Sequence, residues 1–332
     1  MSDSKPAVPP AVGLGLGLLA VSTASLFIRY AQADGTPSLV IAAWRLSLAT
    51  LILLPWVAGR HSAELRRLTA REWSLVAASG IFLGLHFGTW ISSLAYTSVA
   101  NSVVFVSTAP LFVALIAAGL LRERLNRWVV LGLAVALAGS IVVGVSDAGP
   151  ALADFVRGEG FLGDLLALAG AVTVAIYLVI GRSVRARLSL PVYIFLTYGG
   201  AALTLLAGVG LLGAGDPAFG PAAFPAALAA GLQGWLSGRA AGAGGWALWV
   251  LLLALVPQLI GHSAYNWALR YLPATFVSVT VLGEPLGSIL LAALLLNETP
   301  SPLKLLGAGL ILAGILSASR RPAAPAQPPE KS

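Results

Sequence analysis

The sequence predicts an all-α integral membrane protein in which ten transmembrane helices form two inverted five-helix repeats. Three observations support this prediction. The 332 residues are 58% hydrophobic and only 10% charged, whereas about 25% of residues are charged in ordinary soluble domains. The chain also contains ten apolar runs of about 20 residues, the length that crosses the hydrocarbon core of a bilayer. Finally, part of the sequence matches itself at a shift of 175 positions.

The composition also limits the chemistry of the protein. The absence of cysteine excludes disulfides, thiolate metal sites and cysteine nucleophiles. The pI of about 10.1 does not indicate nucleic-acid binding, because the basic residues lie in short clusters between apolar runs, where they orient a membrane protein. The expected partners are therefore the lipid bilayer and a small-molecule substrate, with no nucleic acid; an oligomer is allowed but not implied.

Each apolar run reads as one membrane-spanning helix. The runs are apolar on all sides, which favours helices over the alternating strands of a membrane β-barrel. Short polar or turn-forming segments separate them. The predicted spans cover residues 11–30, 38–57, 73–95, 100–121, 128–145, 161–181, 190–212, 246–270, 274–296 and 303–319.

The basic residues orient these spans. With a cytoplasmic N-terminus, 15 of the 20 Lys and Arg residues lie on the cytoplasmic side and four on the external side, with Arg45 inside a span. Cytoplasmic connections of membrane proteins carry such an excess. The chain then divides into a cytoplasmic tail (1–10), a first repeat (11–145), an external linker (146–160), a second repeat (161–319) and a cytoplasmic tail (320–332).

Two stretches bear on the number of spans. Ala31-Gln32-Ala33 is similar to a signal-peptidase site, but no basic cluster precedes it, so we expect the first helix to be retained. Residues 213–245 are rich in Gly, Ala and Pro, and Pro221, Pro225 and Gln233 argue against a regular buried helix there. We interpret this stretch as a long external loop or an interfacial helix, because an eleventh span would reverse the charge distribution.

The two halves of the chain are related by duplication. Between residues 90 and 143, 17 of 54 positions are identical to those 175 positions later. The matches include Tyr96 with Tyr271, Pro110 with Pro285, Glu123 with Glu298, Gly132 with Gly307, and Gly139 with Gly314. Because each half has an odd number of spans, the second half enters the membrane from the opposite face. Carriers that open alternately to either side of the membrane have this arrangement.

Proline and glycine distinguish the helices of each half. Pro110 and Pro285 lie inside the fourth and ninth spans, where they remove a backbone hydrogen bond and are predicted to act as kinks or hinges that face the interior. The fifth and tenth spans carry glycines seven residues apart, and such small-residue faces suit close helix packing. We therefore assign the fifth and tenth spans to bracing or subunit contact.

Four stretches carry a resemblance to a known family. They are Ala42-Ala43-Trp44-Arg45, Pro110 to Arg124 followed by Gly132 and Gly139, Gly163 to Ala167, and Glu284 to Glu298 followed by Gly307 and Gly314. Together, in this order and duplicated, they resemble the drug/metabolite transporter superfamily in its EamA-like branch, over about residues 11–319. The resemblance implies a ten-helix carrier of the bacterial-type inner membrane, with both termini cytoplasmic, that exports amino acids, other small metabolites or amphipathic compounds.

Two charged residues inside spans are the main functional candidates, because a charge at the bilayer centre costs about 2.5–3.5 kcal/mol on insertion scales. Glu284 lies about 15 Å inside the ninth span; it is either a proton-coupling or amine-binding carboxylate, or a protonated structural acid. Arg45 lies about 10 Å from the external edge; it either reaches this edge or a carbonyl near a helix end, or binds a substrate carboxylate. Its counterpart in the second half is Gly199, so the charge is not duplicated.

Other polar and aromatic side chains complete the candidate site. His86 and His262 are candidates for proton transfer or for hydrogen bonds between helices, and His262 joins Glu284 as a proton-coupling candidate. The aromatic candidates either line a pocket or pack in the helix interior. The candidate substrate-binding residues are Arg45, Trp44, His86, Trp90, Tyr177, Tyr198, Tyr265, Asn266 and Glu284. No metal site or cofactor is predicted, because neither intramembrane histidine has ligands at a usable spacing.

The sequence favours a secondary transporter that exports small metabolites by alternating access. The alternative within this class is a multidrug or organic-cation efflux carrier. ATP-driven transport is not predicted, because the chain has no phosphate-binding loop. An intramembrane enzyme is disfavoured, because no nucleophile, base and metal ligands converge, and a channel would need a continuous polar lining.

Overall fold

The computed structural model describes residues 9–121, 127–146, 158–185, 187–238, 245–268, 271 and 283–318, and within them the chain is helical with no β-strand. The helices of the first half are α1 (Pro10–Ser22), α2 (Ala24–Ala33), α3 (Ser38–Arg60), α4 (Ser62–Arg66), α5 (Ala70–Ser93), α6 (Val99–Val106), α7 (Ala109–Leu121) and α8 (Arg127–Ser146). Those of the second half are α9 (Glu159–Arg185), α10 (Leu190–Leu211), α11 (Phe224–Leu236), α12 (Trp246–Leu253), a π-helical segment (Ala254–His262), α13 (Ser263–Ala268), α14 (Gly283–Leu295) and α15 (Pro302–Ala318).

Six helices in the described part of the chain are long and apolar enough to cross a membrane. They are Val12–Ala33, Ser38–Arg60, Ala70–Ser93, Glu159–Arg185, Leu190–Leu211 and Trp246–Ala268, and they coincide with predicted spans one, two, three, six, seven and eight. The fourth predicted span is also helical and consists of α6 and α7. The fifth corresponds to α8 and the tenth to α15. The first part of the ninth lies outside the described residues, so the total of ten stays a prediction.

Side-chain caps set the beginnings of two of these helices. α5 begins at a capping box, in which the Thr69 side chain accepts from the backbone N–H of Glu72 and the Glu72 carboxylate accepts from that of Thr69 at 2.9 Å. α6 begins after Ser98, whose hydroxyl accepts the backbone N–H of Asn101 at 3.2 Å. These contacts satisfy first-turn donors that have no partner within the helix. They therefore fix where the third and fourth spans start.

Three spans contain a break in the regular α-helix. The first is divided between α1 and α2 at Thr23, and the fourth is divided between α6 and α7 just before Pro110. The eighth passes through the π-helical segment, which contains Pro257, a residue without the backbone N–H that an α-helix needs. The break in the fourth span lies next to Pro110, where a kink or hinge is predicted, and the break around Pro257 was not predicted. Pro285 lies in the first turn of α14, directly after residues outside the described part, so a kink there stays a prediction.

Glycine contacts bring several helices into close approach. A Cβ atom on Gly80 of α5 would lie 2.9 Å from the Cα atom of Gly200 in α10. One on Gly139 of α8 would lie 2.6 Å from the carbonyl oxygen of Gly307 in α15. α8 and α15, the fifth and tenth predicted spans, pack along each other. They therefore contact each other within one chain, and the assignment to bracing or subunit contact stays a prediction.

The substitution Gly80→Ala is expected to destabilise the bundle by about 1–3 kcal/mol, because the new methyl group would force the backbones of α5 and α10 apart. The measurement is the thermal unfolding midpoint of the detergent-solubilised protein. Gly208→Ala is the matched control: Gly208 also lies within a helix, but a Cβ there meets no atom within 4 Å. We expect the control to be neutral or slightly stabilising, and equal midpoints for both variants would contradict the close contact.

The stretch 213–245 contains more regular structure than its proline and glycine content suggested. α11 is a 13-residue helix within it, and its buried residues are Ala227, Gly231 and Gly234, so it is not the regular buried helix that the sequence argued against. Pro225 lies at the first turn of α11, where no intrahelical bond is lost. Gly231 packs against Gly245, with a Cβ position 2.9 Å from its carbonyl oxygen, while Trp235 is 63% exposed. The stretch therefore contains a helix, and its position at the external membrane interface stays a prediction.

Candidate functional site

Arg45 lies inside the helix bundle close to Gln258, Phe87, Tyr198 and Glu284. These five residues are called the polar layer below. The helix of Arg45, α3, places the side chain against the π-helical segment, and the residue is 0% exposed. The Nε atom donates to Oε1 of Gln258 at 2.8 Å. Of the two structural interpretations of Arg45, extension to the external edge is therefore wrong, because a guanidinium that reached water would be exposed.

Three nitrogen atoms of this pair have no hydrogen-bond acceptor among the described residues. They are Nη1 and Nη2 of Arg45 and Nε2 of Gln258, and all three are buried. Leaving such a donor buried without a partner costs about 1–3 kcal/mol, and more for a charged group. The interior of the bundle therefore contains three neighbouring hydrogen-bond donors for which the described residues supply no acceptor.

An aromatic cluster lies next to the guanidinium. Its central carbon lies 4.1 Å from the centroid of the Phe87 ring, a distance typical of cation–π attraction. The Phe87 ring in turn contacts His262 edge-on, at a centroid distance of 5.3 Å. His86 and Trp90 form a stacked pair nearby, with centroids 5.9 Å apart, and both rings also pack against Phe87.

Glu284 contributes the negative charge of this region. It lies in the first turn of α14 and is half-buried. Its carboxylate and the Arg45 guanidinium attract each other electrostatically, yet the ion pairs among the described residues do not include this one. Tyr265 also lies within electrostatic reach of Glu284, and its hydroxyl is buried without a hydrogen-bond partner. The two intramembrane charges predicted to be functional are thus brought into one region without direct contact.

The remaining tyrosines hold the surrounding helices together. The Tyr198 hydroxyl lies 3.2 Å from Ser263 Oγ and 3.5 Å from the Gln258 carbonyl, which ties α10 to the π-helical segment. Tyr177 donates to Oδ1 of Asn266 at 2.9 Å. Tyr198 therefore belongs to the layer around Arg45, whereas the Tyr177–Asn266 bond links α9 to α13.

Three predicted residues have partners that define their positions. Trp44 donates to the carbonyl of Phe219 at 2.8 Å and its ring lies 4.8 Å from that of Phe224, so it contacts the segment before and at the start of α11. Nδ1 of His86 lies 2.9 Å from the Gly170 carbonyl, which joins α5 to α9. His262 contacts Phe87 and Tyr265 by its ring. Within the described residues no group of three metal-ligating side chains occurs.

Two residues of the layer were not among the predicted site residues. Phe87 is a fully buried phenylalanine in an apolar span, and nothing in its sequence context distinguishes it from the rest of the core. Gln258 was available as a signal, because it is a polar residue next to Pro257 inside a predicted span. Its pairing with Arg45, 213 positions away, depends on which helix faces meet.

The structure indicates an integral membrane protein, with apolar side chains such as Leu203 and Leu290 exposed on its surface and the charged residue Arg45 buried inside. Comparison with protein families gives a more specific assignment. The EamA-like transporter family matches residues 11–145 and again 161–320. The chain belongs to this family, in agreement with the resemblance found in the sequence.

Relatives match nearly the whole chain. A protein of Archaeoglobus fulgidus described as an uncharacterized transporter is 25% identical over 305 residues, which cover 91% of this chain and 94% of the relative. A solved crystal structure, described only as that of a protein, aligns with a TM-score of 0.60 and 22% identity over 93% of this chain and 96% of its own. At this identity the solved structure shows a shared fold.

Proposed function

We propose that the protein is a secondary transporter that exports small metabolites, such as amino acids or amphipathic compounds, by alternating access. The observation that carries this proposal is the buried polar layer, in which Arg45 keeps two unpartnered nitrogen atoms and Glu284 lies nearby without an ion pair. Groups that serve only structure are normally satisfied inside a membrane. Donors left unsatisfied when the bundle is closed are available to a substrate once the bundle opens.

The helix contacts support the inverted repeat that alternating access uses. Equivalent spans of the two halves pack together: the second with the seventh, the fourth with the ninth, and the fifth with the tenth. Contacts between unlike spans occur in matched pairs. The third span packs against the sixth, and its equivalent, the eighth span, packs against the first. The third span also packs against the seventh, and the eighth packs against the second. A two-fold axis in the membrane plane produces this pattern.

Contacts between connections support the ten-span topology. Arg29, at the end of the first span, forms an ion pair with Glu298, which follows the ninth span, at 2.6 Å. Glu64, between the second and third spans, accepts from the backbone N–H of Ser189, between the sixth and seventh, at 2.7 Å. The proposed topology places the first pair outside and the second in the cytoplasm. Each contact therefore joins connections that share one face of the membrane.

Single-cysteine labelling tests this topology directly, because the natural chain has no cysteine. Ser237→Cys, after α11, is expected to react with a membrane-impermeant maleimide in intact cells. Arg67→Cys, before α5, is expected to react only after permeabilisation. Both positions are exposed, so a difference in their labelling reports the side of the membrane on which each one lies. Labelling of both in intact cells, or of neither, would contradict the proposed orientation with cytoplasmic termini in a bacterial-type inner membrane.

The candidate residues take distinct roles in this proposal. Arg45, Gln258 and Glu284 provide the charged centre, with Tyr198, Tyr265, His86 and Trp90 around it. Glu284 and His262 are the proposed proton-coupling groups, and Pro110 and Pro285 the hinges. Trp44 joins α3 to the segment before α11, and Tyr177 and Asn266 join α9 to α13. No enzymatic step or cofactor is part of this function.

Organic-cation efflux is the second candidate function. The observation that favours it is Glu284, a half-buried carboxylate close to the aromatic side chain of Tyr265, since cations bind to carboxylates and to aromatic faces. Arg45 opposes it, because a second positive charge in the same interior repels a cationic substrate.

Counterflow in proteoliposomes tests the transporter proposal. Vesicles preloaded with one compound from a panel of amino acids and organic cations are diluted into trace amounts of the same labelled compound. Accumulation of label is expected for at least one amino acid. The absence of accumulation for every member of the panel would contradict the proposal, and accumulation of organic cations alone would favour the second candidate.

A further inference from the structure

The layer around Arg45 contains hydrogen-bond donors without an acceptor among the described residues, and their geometry indicates what they bind. We propose, on the basis of the transporter function above, that Nη1 and Nη2 of Arg45 together with Nε2 of Gln258 bind a carboxylate group of the transported molecule. Gln258 is then the residue that determines specificity for an acid over its amide or amine.

The hydrogen bond between Arg45 and Gln258 prepares this site. Nε of the guanidinium is occupied by Oε1 of Gln258 at 2.8 Å, which leaves Nη1 and Nη2 as the unsatisfied side of the planar group. The same bond turns the amide so that its Nε2 donor is the part left without a partner. Two oxygen atoms of a carboxylate match the parallel donors of a guanidinium, and the amide supplies a further donor.

Phe87 restricts the direction from which a ligand approaches. Its ring covers the guanidinium at 4.1 Å, so this face is not available for a flat aromatic ligand. The remaining donors point outward in the plane of the guanidinium, which is the direction a planar anion requires. The arrangement therefore selects for hydrogen-bonding geometry as well as for negative charge.

The backbone around Gln258 limits its movement. Its carbonyl oxygen lies 3.5 Å from the Tyr198 hydroxyl and 3.4 Å from Ser263 Oγ. The residue itself is 0% exposed. Donors that are held in place before binding lose less conformational entropy when the ligand arrives.

Glu284 is the competing partner for these donors. It attracts Arg45 electrostatically but forms no ion pair with it among the described residues. If Glu284 filled the donors during the transport cycle, the site would serve an internal ion pair and not the substrate. The variant Glu284→Gln separates these possibilities, because it removes the internal carboxylate and leaves Arg45 and Gln258 unchanged.

The test uses Gln258→Glu, which builds a carboxylate into the site next to Arg45. The probes are leucine, leucinamide and 3-methylbutylamine, which share one side chain and differ at the carboxyl position. In counterflow, the wild-type protein is expected to exchange leucine at least about tenfold faster than the other two, and Gln258→Glu to lose at least about tenfold of the leucine rate, as expected for loss of charge-assisted hydrogen bonds. The thermal midpoint of Gln258→Glu is expected to rise, because Arg45 gains a partner.

Two further variants keep this test decisive. Gln258→Met removes the amide donor without adding a charge, so it provides the answer if Gln258→Glu does not fold. This variant is expected to lower the ratio of the leucine exchange rate to that of 3-methylbutylamine. Gln233→Glu makes the same chemical change on the exposed surface of α11 and is expected to behave as the wild type.

The outcomes separate the carboxylate site from the transporter function. Equal exchange of all three probes by the wild type, or undiminished leucine exchange by Gln258→Glu, would overturn the carboxylate site and leave the transporter proposal standing. Loss of the preference for leucine in Glu284→Gln would also overturn it, since the preference would then depend on Glu284 and not on the donors of Arg45 and Gln258. Absence of exchange for every compound of the wider panel would instead overturn the transporter proposal.

Discussion

Replacement of Arg45 by methionine is expected to abolish transport of carboxylated substrates while leaving the protein about as stable as the wild type. Methionine fills a similar volume without a charge. Two charge-assisted hydrogen bonds to a substrate are worth about 1.5–3 kcal/mol each, so the transport rate is expected to fall by a factor on the order of 10² or more. Stability is expected to be maintained, because an apolar residue in place of a buried, incompletely paired charge is often neutral or stabilising.

Arg185→Met is the matched control for this experiment. Arg185 is also buried, but its guanidinium donates to the carbonyl oxygens of Leu188 at 2.6 Å and Asn266 at 3.3 Å. Its removal leaves two buried acceptors without these donors and is expected to lower the thermal midpoint. Counterflow and thermal unfolding are measured for both variants. A large loss of stability in Arg45→Met with residual transport would contradict the role in binding, since Arg45 would then be structural.

Replacement of Glu284 by glutamine is expected to eliminate uphill transport driven by a proton gradient while counterflow continues. Glutamine retains the size and hydrogen-bonding ability of the side chain but cannot take up or release a proton. Exchange of one substrate molecule for another requires no net proton movement, so it continues. The measurement compares accumulation driven by an imposed pH gradient with counterflow in the same proteoliposomes.

Glu159→Gln is the control for the glutamate substitution. Glu159 lies in the first turn of α9 and is exposed, so the same change there is expected to leave both kinds of transport unaltered. Undiminished uphill accumulation by Glu284→Gln would remove the proton-coupling role. Loss of both activities together with a lower thermal midpoint would show that Glu284 is a structural acid.

The positions of the helices could be predicted from the sequence because the length of a membrane span is a strong constraint. Six predicted spans correspond to helices of sufficient length, and the break near Pro110 follows from the missing backbone donor. The π-helical segment was missed, although Pro257 lies inside it and was a usable signal. The helix α11 was predicted only as an alternative to a loop, because Pro225 was interpreted as a residue that interrupts a helix. Pro225 lies in the first turn, which tolerates proline.

The candidate site was only partly predictable. Arg45 and Glu284 stand out because charged residues are rare within spans, and the structure brings them into one region. Gln258 and Phe87 complete the site through contacts between helices far apart in the sequence. Spans that are apolar on every side carry no periodic pattern that shows which face points inward, so such contacts cannot be derived from one chain alone.

The segment around α11 makes the corresponding connections of the two halves unequal. Its counterpart in the first half is the short connection around α4, whereas the longer segment accepts the hydrogen bond of Trp44 at Phe219 and packs Phe224 against the Trp44 ring. Movement of α3 away from this segment must break these contacts, whereas the short connection around α4 is held to the start of α10 by the hydrogen bonds between Glu64 and Ser189. The two halves of the chain therefore differ most in this connection, because aromatic packing and an indole hydrogen bond hold the longer segment, whereas a carboxylate holds the shorter one.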